Sequence, residues 1–449
     1  MSFVIFSCTI RRSLLFFLAA CFGMTAFSPK ALAQTVIPIA PGWARTKVNA
    51  TIFRRDAVCS LGDRQVVSFY DSDGHLVLAE RQFHSTEWRV SRTPLTGRVQ
   101  DAHNGISMAL DGAGLLHLAW DHHGHPLNYS RTSAADVLIP DPPLTMTGTL
   151  EQKVTYPEFY RLSNGDLLFF YRDGSSGNGN LVLNRYLARE RRWQRLHDNL
   201  IDGEGQRNAY WQVAVDFNDV IHLSWTWRET GDVVTNHDIC YAVSRDTGLT
   251  WQKTHGEACK VPITEADAEY AATIPQNSEL ANQTSMTTDA SGRPVIANFW
   301  RDQPDAVPQY RLVWHNGSEW VTRQVGRRTT NFYRRGGGTK RPPVSRPLVL
   351  MNQASGSSMC CVLFRDIEFG GCIVAATTTD MLNGPWQFTK LTTESVGQAD
   401  PMIDANAWKT KGEIHLLTQF VGQGDGEKEE DVQPQMVQLI EWTPPRSKD

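Results

Sequence analysis

Two histidines bracket one short strand-like run. His103 lies in Gln100-Asp101-Ala102-His103-Asn104-Gly105 and His123 in Asp121-His122-His123-Gly124-His125, with Gly114-Leu115-Leu116-His117-Leu118-Ala119-Trp120 between them. A hairpin built on that run brings both imidazoles to one rim, where groups that titrate near neutrality can act as general acid or base. His117 alternates with apolar residues inside the run and reads as scaffold, as do His222 and His415 in theirs. His122 and His125 stand so close to His123 that the sequence does not fully separate them.

Two further hairpins each pair a tyrosine with an arginine. Tyr156 opens one in Thr155-Tyr156-Pro157, and Arg172 closes the run that returns beside it, Phe170-Tyr171-Arg172. Tyr210 in Asn208-Ala209-Tyr210-Trp211 and Arg228 in Trp225-Thr226-Trp227-Arg228 repeat the arrangement. Two His, two Tyr and two Arg suit β-elimination on an acidic sugar. The proton on C5 of a uronic acid is weakly acidic while the neighbouring carboxylate stays charged, and arginine can neutralise that carboxylate bidentately. One such contact is worth roughly 2–4 kcal/mol at the transition state. A neutral histidine or a tyrosinate then takes the proton, and a tyrosine or histidinium protonates the leaving oxygen on C4. The scheme requires no cofactor. The glycine-rich stretch after Arg172 lacks the strand-to-helix context of a phosphate loop and reads as a long turn.

These residues need strands to hold them. Seven times the chain shows an apolar run, a polar turn, and a second apolar run often ending in an aromatic and an arginine; the openings fall near Val66, Gly105, Tyr156, Gln212, Thr284, Pro347 and Pro401. Outer hairpins follow, as in Leu181 to Leu196, Tyr310 to Val325 and Ile373 to Leu391. Four short strands per repeat predict an all-β fold, a seven-bladed β-propeller of four-stranded antiparallel blades. Ser244-Arg245-Asp246-Thr247-Gly248-Leu249-Thr250-Trp251 is a complete S-x-D-x-G-x-T-W Asp-box, which stabilises a hairpin turn and leaves the reaction open. Asn316-Gly317-Ser318-Glu319-Trp320 is a degenerate copy.

Composition narrows the partner. A net charge of −4 over 449 residues, with 14 Trp, argues against nucleic acid and a polybasic membrane contact and for a small molecule or glycan. Arg11-Arg12, the apolar run Ser13 to Ala20, and Ala31-Leu32-Ala33 before Gln34 read as a secretory signal over 1–33. The expected product is a single propeller domain, 34–449, secreted or periplasmic and monomeric. Leu18-Ala19-Ala20-Cys21 offers the alternative of a lipid anchor at Cys21. No other apolar stretch is long enough to span a bilayer. Cys240 and Cys259 could form a disulfide, or join His237 and His255 around zinc. A structural zinc or calcium ion is therefore compatible with the sequence, and a catalytic metal is unknown. Arg327, Arg328, Arg334, Arg335, Lys340 and Arg341 could add cations along a cleft, or simply be solvated.

Together these residues resemble the BNR-repeat propeller family that includes secreted bacterial ulvan lyases, seven-bladed polysaccharide lyases that cut next to uronic acid in sulfated algal glycans. The likeness runs over nearly the whole chain after residue 33. It is most specific in the paired His103 and His123, in the Tyr-Pro to Tyr-Arg-Asp-Gly stretch, and in Asn236-His237-Asp238-Ile239-Cys240-Tyr241. The resemblance implies that His103, His123 and Tyr156 form the acid–base group, that Arg172 is the main carboxylate neutraliser, and that Tyr210 and Arg228 assist in binding an acidic polysaccharide. Which of the three is base and which acid stays open. Two other readings remain: a sialidase, which lacks support from any Arg-Ile-Pro entry motif, and a non-catalytic glycan-binding propeller in which Trp225 and Trp227 stack on sugars.

Overall fold

Aspartates close several of the hairpins. Asp71, Asp111, Asp216 and Asp289 each accept, through Oδ1, the amide protons two and four residues ahead, at 2.7–3.0 Å. A short carboxylate side chain that satisfies its own turn backbone lets the chain reverse after the first strand of three blades, at Asp111, Asp216 and Asp289, and one strand later in another, at Asp71. This is the polar turn of the sequence pattern.

The computed structural model describes residues 1–2, 34–53, 56–133, 136–303, 306–352 and 359–445. The expected signal over 1–33, and Cys21 with it, lies outside the described residues apart from 1–2. From Gln34 onward the strands form one unit, a seven-bladed β-propeller in which every strand pairing is antiparallel. The first blade runs Val58–Leu61, Arg64–Tyr70, His75–Gln82 and Arg89–Thr96. Its opening strand precedes Val66 by one hairpin, because Gly62, at φ 60, turns the chain tightly between two strands that the sequence pattern merges. The fourth blade is Asn208–Val215, Ile221–Arg228, Asn236–Ser244 and Glu269–Ala272, and the fifth and sixth follow the same order.

Two blades depart from four strands. The second has three, Ile106–Leu110, Leu116–Trp120 and Tyr129–Arg131, because the segment His123–His125 leaves it and pairs with Val154–Arg161 at the inner edge of the third. That makes the third blade five-stranded and carries His123 across to Thr155. The seventh blade joins the chain's two ends: Thr35–Gly42 pairs with Gln435–Trp442, outside Ile414–Thr418 and Met402–Ile403. Its inner turn is a helix, Ala405–Lys411, started by Asp404 accepting from the Ala407 amide and stopped at Gly412, φ 68.

Apolar side chains fill the spaces between neighbouring blades. Trp251 of the Asp-box is buried between the third and fourth, while the Asp246 carboxylate accepts from the amides of Leu249 and Thr250 and from the Thr250 hydroxyl. The strand histidines belong to this frame. His117 Nδ1 lies 2.7 Å from the Tyr129 hydroxyl and His222 Nδ1 2.7 Å from that of Tyr241, each six residues beyond a turn aspartate.

Closure of the ring should be testable in stability. Leu439 is fully buried opposite Ile37, so Leu439→Ala is expected to cost about 2–5 kcal/mol in chemical denaturation. Val36, 52 % exposed on the N-terminal strand that pairs with that of Leu439, is expected to change stability by no more than about 0.5 kcal/mol when replaced by Ala.

Candidate active site

One cavity of about 240 Å³ collects all six residues singled out by the sequence: His103, His123, Tyr156, Arg172, Tyr210 and Arg228. They arrive from four places, the turn before the second blade, the stray strand of the third, and the strand ends of the third and fourth.

Asp101 organises the histidines. It caps a single 3-10 turn, Ala102–Asn104, by accepting from the His103 amide. The same carboxylate meets both rings: Oδ1 is 2.8 Å from His103 Nδ1 and Oδ2 is 2.6 Å from His123 Nδ1. The rings stack at 3.9 Å between centroids and 13° between planes. Glu427, from the seventh blade's long loop, places Oε1 3.1 Å from His103 Nδ1. Burial opposes charge on His103, but Asp101 and Glu427 outweigh it and raise the pKa to about 9. For His123 burial dominates and the neighbouring His103 adds to it, so its pKa falls below the ordinary value despite Asp101. Burial pushes against ionisation of Asp101 too, yet its bonds to the two histidines hold it well below the carboxylate range. One charged and one neutral imidazole, side by side, result.

Asp101, His103 and His123 also bring ligand atoms within 4.8 Å of one another, as do Glu229, His237 and Glu265, and His84, His415 and Glu441. In the first group the parallel rings address separate carboxylate oxygens at hydrogen-bond distance, which fits shared protons better than convergence on one ion.

Tyr156 sits in a left-handed conformation, φ 55, where the pairing of its strand with Leu167–Ser175 shifts register between Thr155 and Glu158. A bulge of this kind re-aims a side chain, and a bulky residue held there before a proline is strained. The ring turns into the cavity against Phe53, 5.4 Å away, with the Arg172 guanidinium 5.0 Å over it. Burial, reinforced by Tyr210, pushes the Tyr156 phenol well above its usual pKa.

Arg172 is buried, and its Nε and Nη1 have no hydrogen-bond partner among the described residues. Its neighbours are the faces of Tyr156 and Tyr210 and the backbone of Gly179, where an added Cβ would come within 2.8 Å of the arginine's stem. Arg228 spends its donors on neutral oxygens: the Thr230 carbonyl at 3.0 Å, the Gly231 carbonyl, and the Tyr210 hydroxyl at 3.3 Å. Tyr210 also meets the Ser176 hydroxyl at 3.0 Å. Burial acts to raise its pKa, but Arg172 and Arg228 prevail and bring it down to about 8.

Other candidates go elsewhere. His122 is buried, accepts the Asn128 amide at Nε2 and is driven by burial to about 3. Trp225 and Trp227 are fully buried, so neither can stack on a sugar. Cys240 and Cys259 are free thiols, and His237 is held by Glu229 and Asp238, each at 2.8 Å, rather than by sulfur. Of the basic loop, Arg328 pairs with Asp366, Arg334 and Arg335 with Glu279, Lys340 with Asp425 and Arg341 with Glu430; Arg334 and Lys340 reach the cavity. The sequence did not mark Lys47, Arg346 or Glu427, which come from distant segments with no local motif. Asp101 could have been found, since an N-cap two residues before a histidine reaches both its amide and its ring.

A family model described as a BNR repeat-containing family member matches residues 64–328. A short-isoform ulvan lyase of Alteromonas sp. (strain LOR) is 28 % identical over 228 residues, 39 % of this chain and 43 % of that one. An ulvan lyase of Pseudoalteromonas sp. (strain PLSV) is 24 % identical over 264 residues, 50 % and 52 % of the two chains. The chain thus spans about half the length of these curated relatives. Among solved structures, the polysaccharide lyase Uly1 superposes with a TM-score of 0.67 at 16 % identity, covering 92 % of this chain and 99 % of the other. An ulvan lyase bound to -[GlcA(1-4)Rha3S]- gives 0.67 at 15 % identity over 91 % and 95 %. At such identities the likeness speaks for the fold alone.

The two arginines flanking Tyr210 make a prediction independent of substrate. A spectrophotometric titration of tyrosinate should show an ionisation centred near 8 that is absent from Tyr210→Phe. Arg172→Met should move it to higher pH, because a cation that favours the phenolate is gone.

Proposed function

The chain belongs to the BNR repeat-containing family, and on that footing we propose that it is a polysaccharide lyase that cleaves a uronic-acid-containing, ulvan-like polysaccharide by β-elimination. One observation carries the reading. Arg172 is a buried cation with two donor nitrogens unmatched among the described residues, in the same cavity as a histidine whose pKa burial lowers. Burying an unpaired charge costs several kcal/mol, so an anionic group is the natural complement. A uronate carboxylate laid against Arg172, with Arg228 and Tyr210 beside it, loses the negative charge that makes the C5 proton hard to remove.

His123 supplies the base, since its Nδ1 is committed to Asp101 and its Nε2 stays free of protein partners among the described residues. The C–H electrons become the C4–C5 double bond, the C4–O bond breaks, and a proton is delivered to the departing oxygen. Tyr156, kept as a phenol, and the His103 imidazolium are the donors that face the cavity. The neutralising cations in this scheme are arginines, so the reaction needs no metal. A polymer substrate implies action outside the cytoplasm, in keeping with export directed by 1–33.

The product is a C4–C5 unsaturated uronate, whose conjugated double bond absorbs in the near ultraviolet. Incubation with ulvan and other uronate polymers is expected to give a steady rise in that absorbance; release of sialic acid, or binding with no new absorbance, refutes the proposal. Arg172→Ala is expected to lose roughly 10²–10³-fold in kcat/KM with little change in thermal unfolding. Full activity in both His103→Ala and His123→Ala would show that the chemistry lies elsewhere.

A further inference from the structure

Asp101 and Glu427 meet the two imidazole rings at Nδ1. We propose that Asp101 is a positioning residue that fixes both imidazoles by Nδ1 and turns both Nε2 atoms toward substrate, and that Glu427 assigns the pair's extra proton to His103, leaving His123 as the base.

The carboxylates are shared unequally between the two rings. Each ring has one oxygen of Asp101, at 2.8 and 2.6 Å, but His103 alone has a second carboxylate, Glu427 at 3.1 Å. Two imidazolium rings stacked 3.9 Å apart repel, so a single positive charge is favoured on the pair, and it settles where the carboxylates are. The other groups facing the pair do not reverse this. Phe53 stacks on His103 and Tyr156 lies 5.6 Å from it, both uncharged, while Arg172 further disfavours charge on His123. Glu427 is itself pinned, accepting the Thr339 amide at 2.6 Å and the Ala102 amide at 3.3 Å. An Nδ1–H held on each ring leaves Nε2 as the atom that changes: a lone pair on His123, a proton on His103.

The inference rests on the lyase reading for what the two nitrogens do to substrate, but the holding of the rings does not. NMR of the histidine ring C–H groups, without substrate, reads both titrations. His103 should titrate near 9 and His123 below the ordinary histidine value. Glu427→Gln, which keeps the side chain's size and one acceptor oxygen for the Thr339 amide, should lower the His103 titration by roughly 1 unit. Activity needs His123 neutral and His103 charged, so kcat/KM rises as pH passes the first titration; Tyr210, which ionises near 8, shares the alkaline limb, so that limb is compared in Tyr210→Phe with and without Glu427→Gln, and the second change should move it to lower pH. Asp101→Asn should lower kcat roughly 10²-fold or more with little change in KM. An unmoved His103 titration in Glu427→Gln, or wild-type turnover in Asp101→Asn, overturns the proposal. Wild-type titrations as expected, with no unsaturated product from any uronate polymer, support the holding of the rings and overturn the lyase reading instead.

Discussion

Positive charge kept out of water, with too few carboxylates to match it, is the constraint around which the cavity is arranged. Lys47, Arg172, Arg228, Arg334, Lys340 and Arg346 line it, and Asp400 is the one carboxylate-bearing residue among the described lining. Each cation lowers its cost differently. Lys47 and Arg346 share Asp400, at 3.5 and 3.8 Å, and burial still brings Lys47 down to about 8. Arg334 leans on Glu279 behind the wall, and Arg228 on carbonyls and a phenol. Arg172 has aromatic faces instead, which offset desolvation only in part.

The propeller's repetition makes that difference interpretable. Arg172, Arg228, Arg301 and Arg365 stand near the ends of the second strands of four consecutive blades, and all are buried. Arg365 is absorbed by the carbonyls of Ala399, Pro343 and Pro342, and Arg301 lies 4.0 Å from Glu279. One position in the repeat therefore serves as a strut in some blades and as a charge aimed at the cavity in others. What separates them is the partner each finds in the loops that flank its blade.

That separation explains what could be read from the chain alone. Strand period and turn aspartates are local, so the propeller and the rim positions of His103, Tyr156, Arg172, Tyr210 and Arg228 were legible. The strand exchange that carries His123 into the third blade was not, because it depends on an edge left open by a neighbouring blade. Nor was the burial of Trp225 and Trp227, since residues at a strand end read alike whether or not the next blade covers them. Partnership across blades, as between His103 and Glu427 more than three hundred residues apart, has no signature in either segment.

Glu427 lies between the two strands of the seventh blade that the N-terminal strand closes. The arginine and tyrosine wall is drawn from the third and fourth blades, whereas the second carboxylate beside His103 comes from the blade that the N-terminal strand completes. A molecule opened at its seam would thus keep the grip on an anion while the second carboxylate beside His103 drifted away, so the charge on that imidazole would report that the circle is closed.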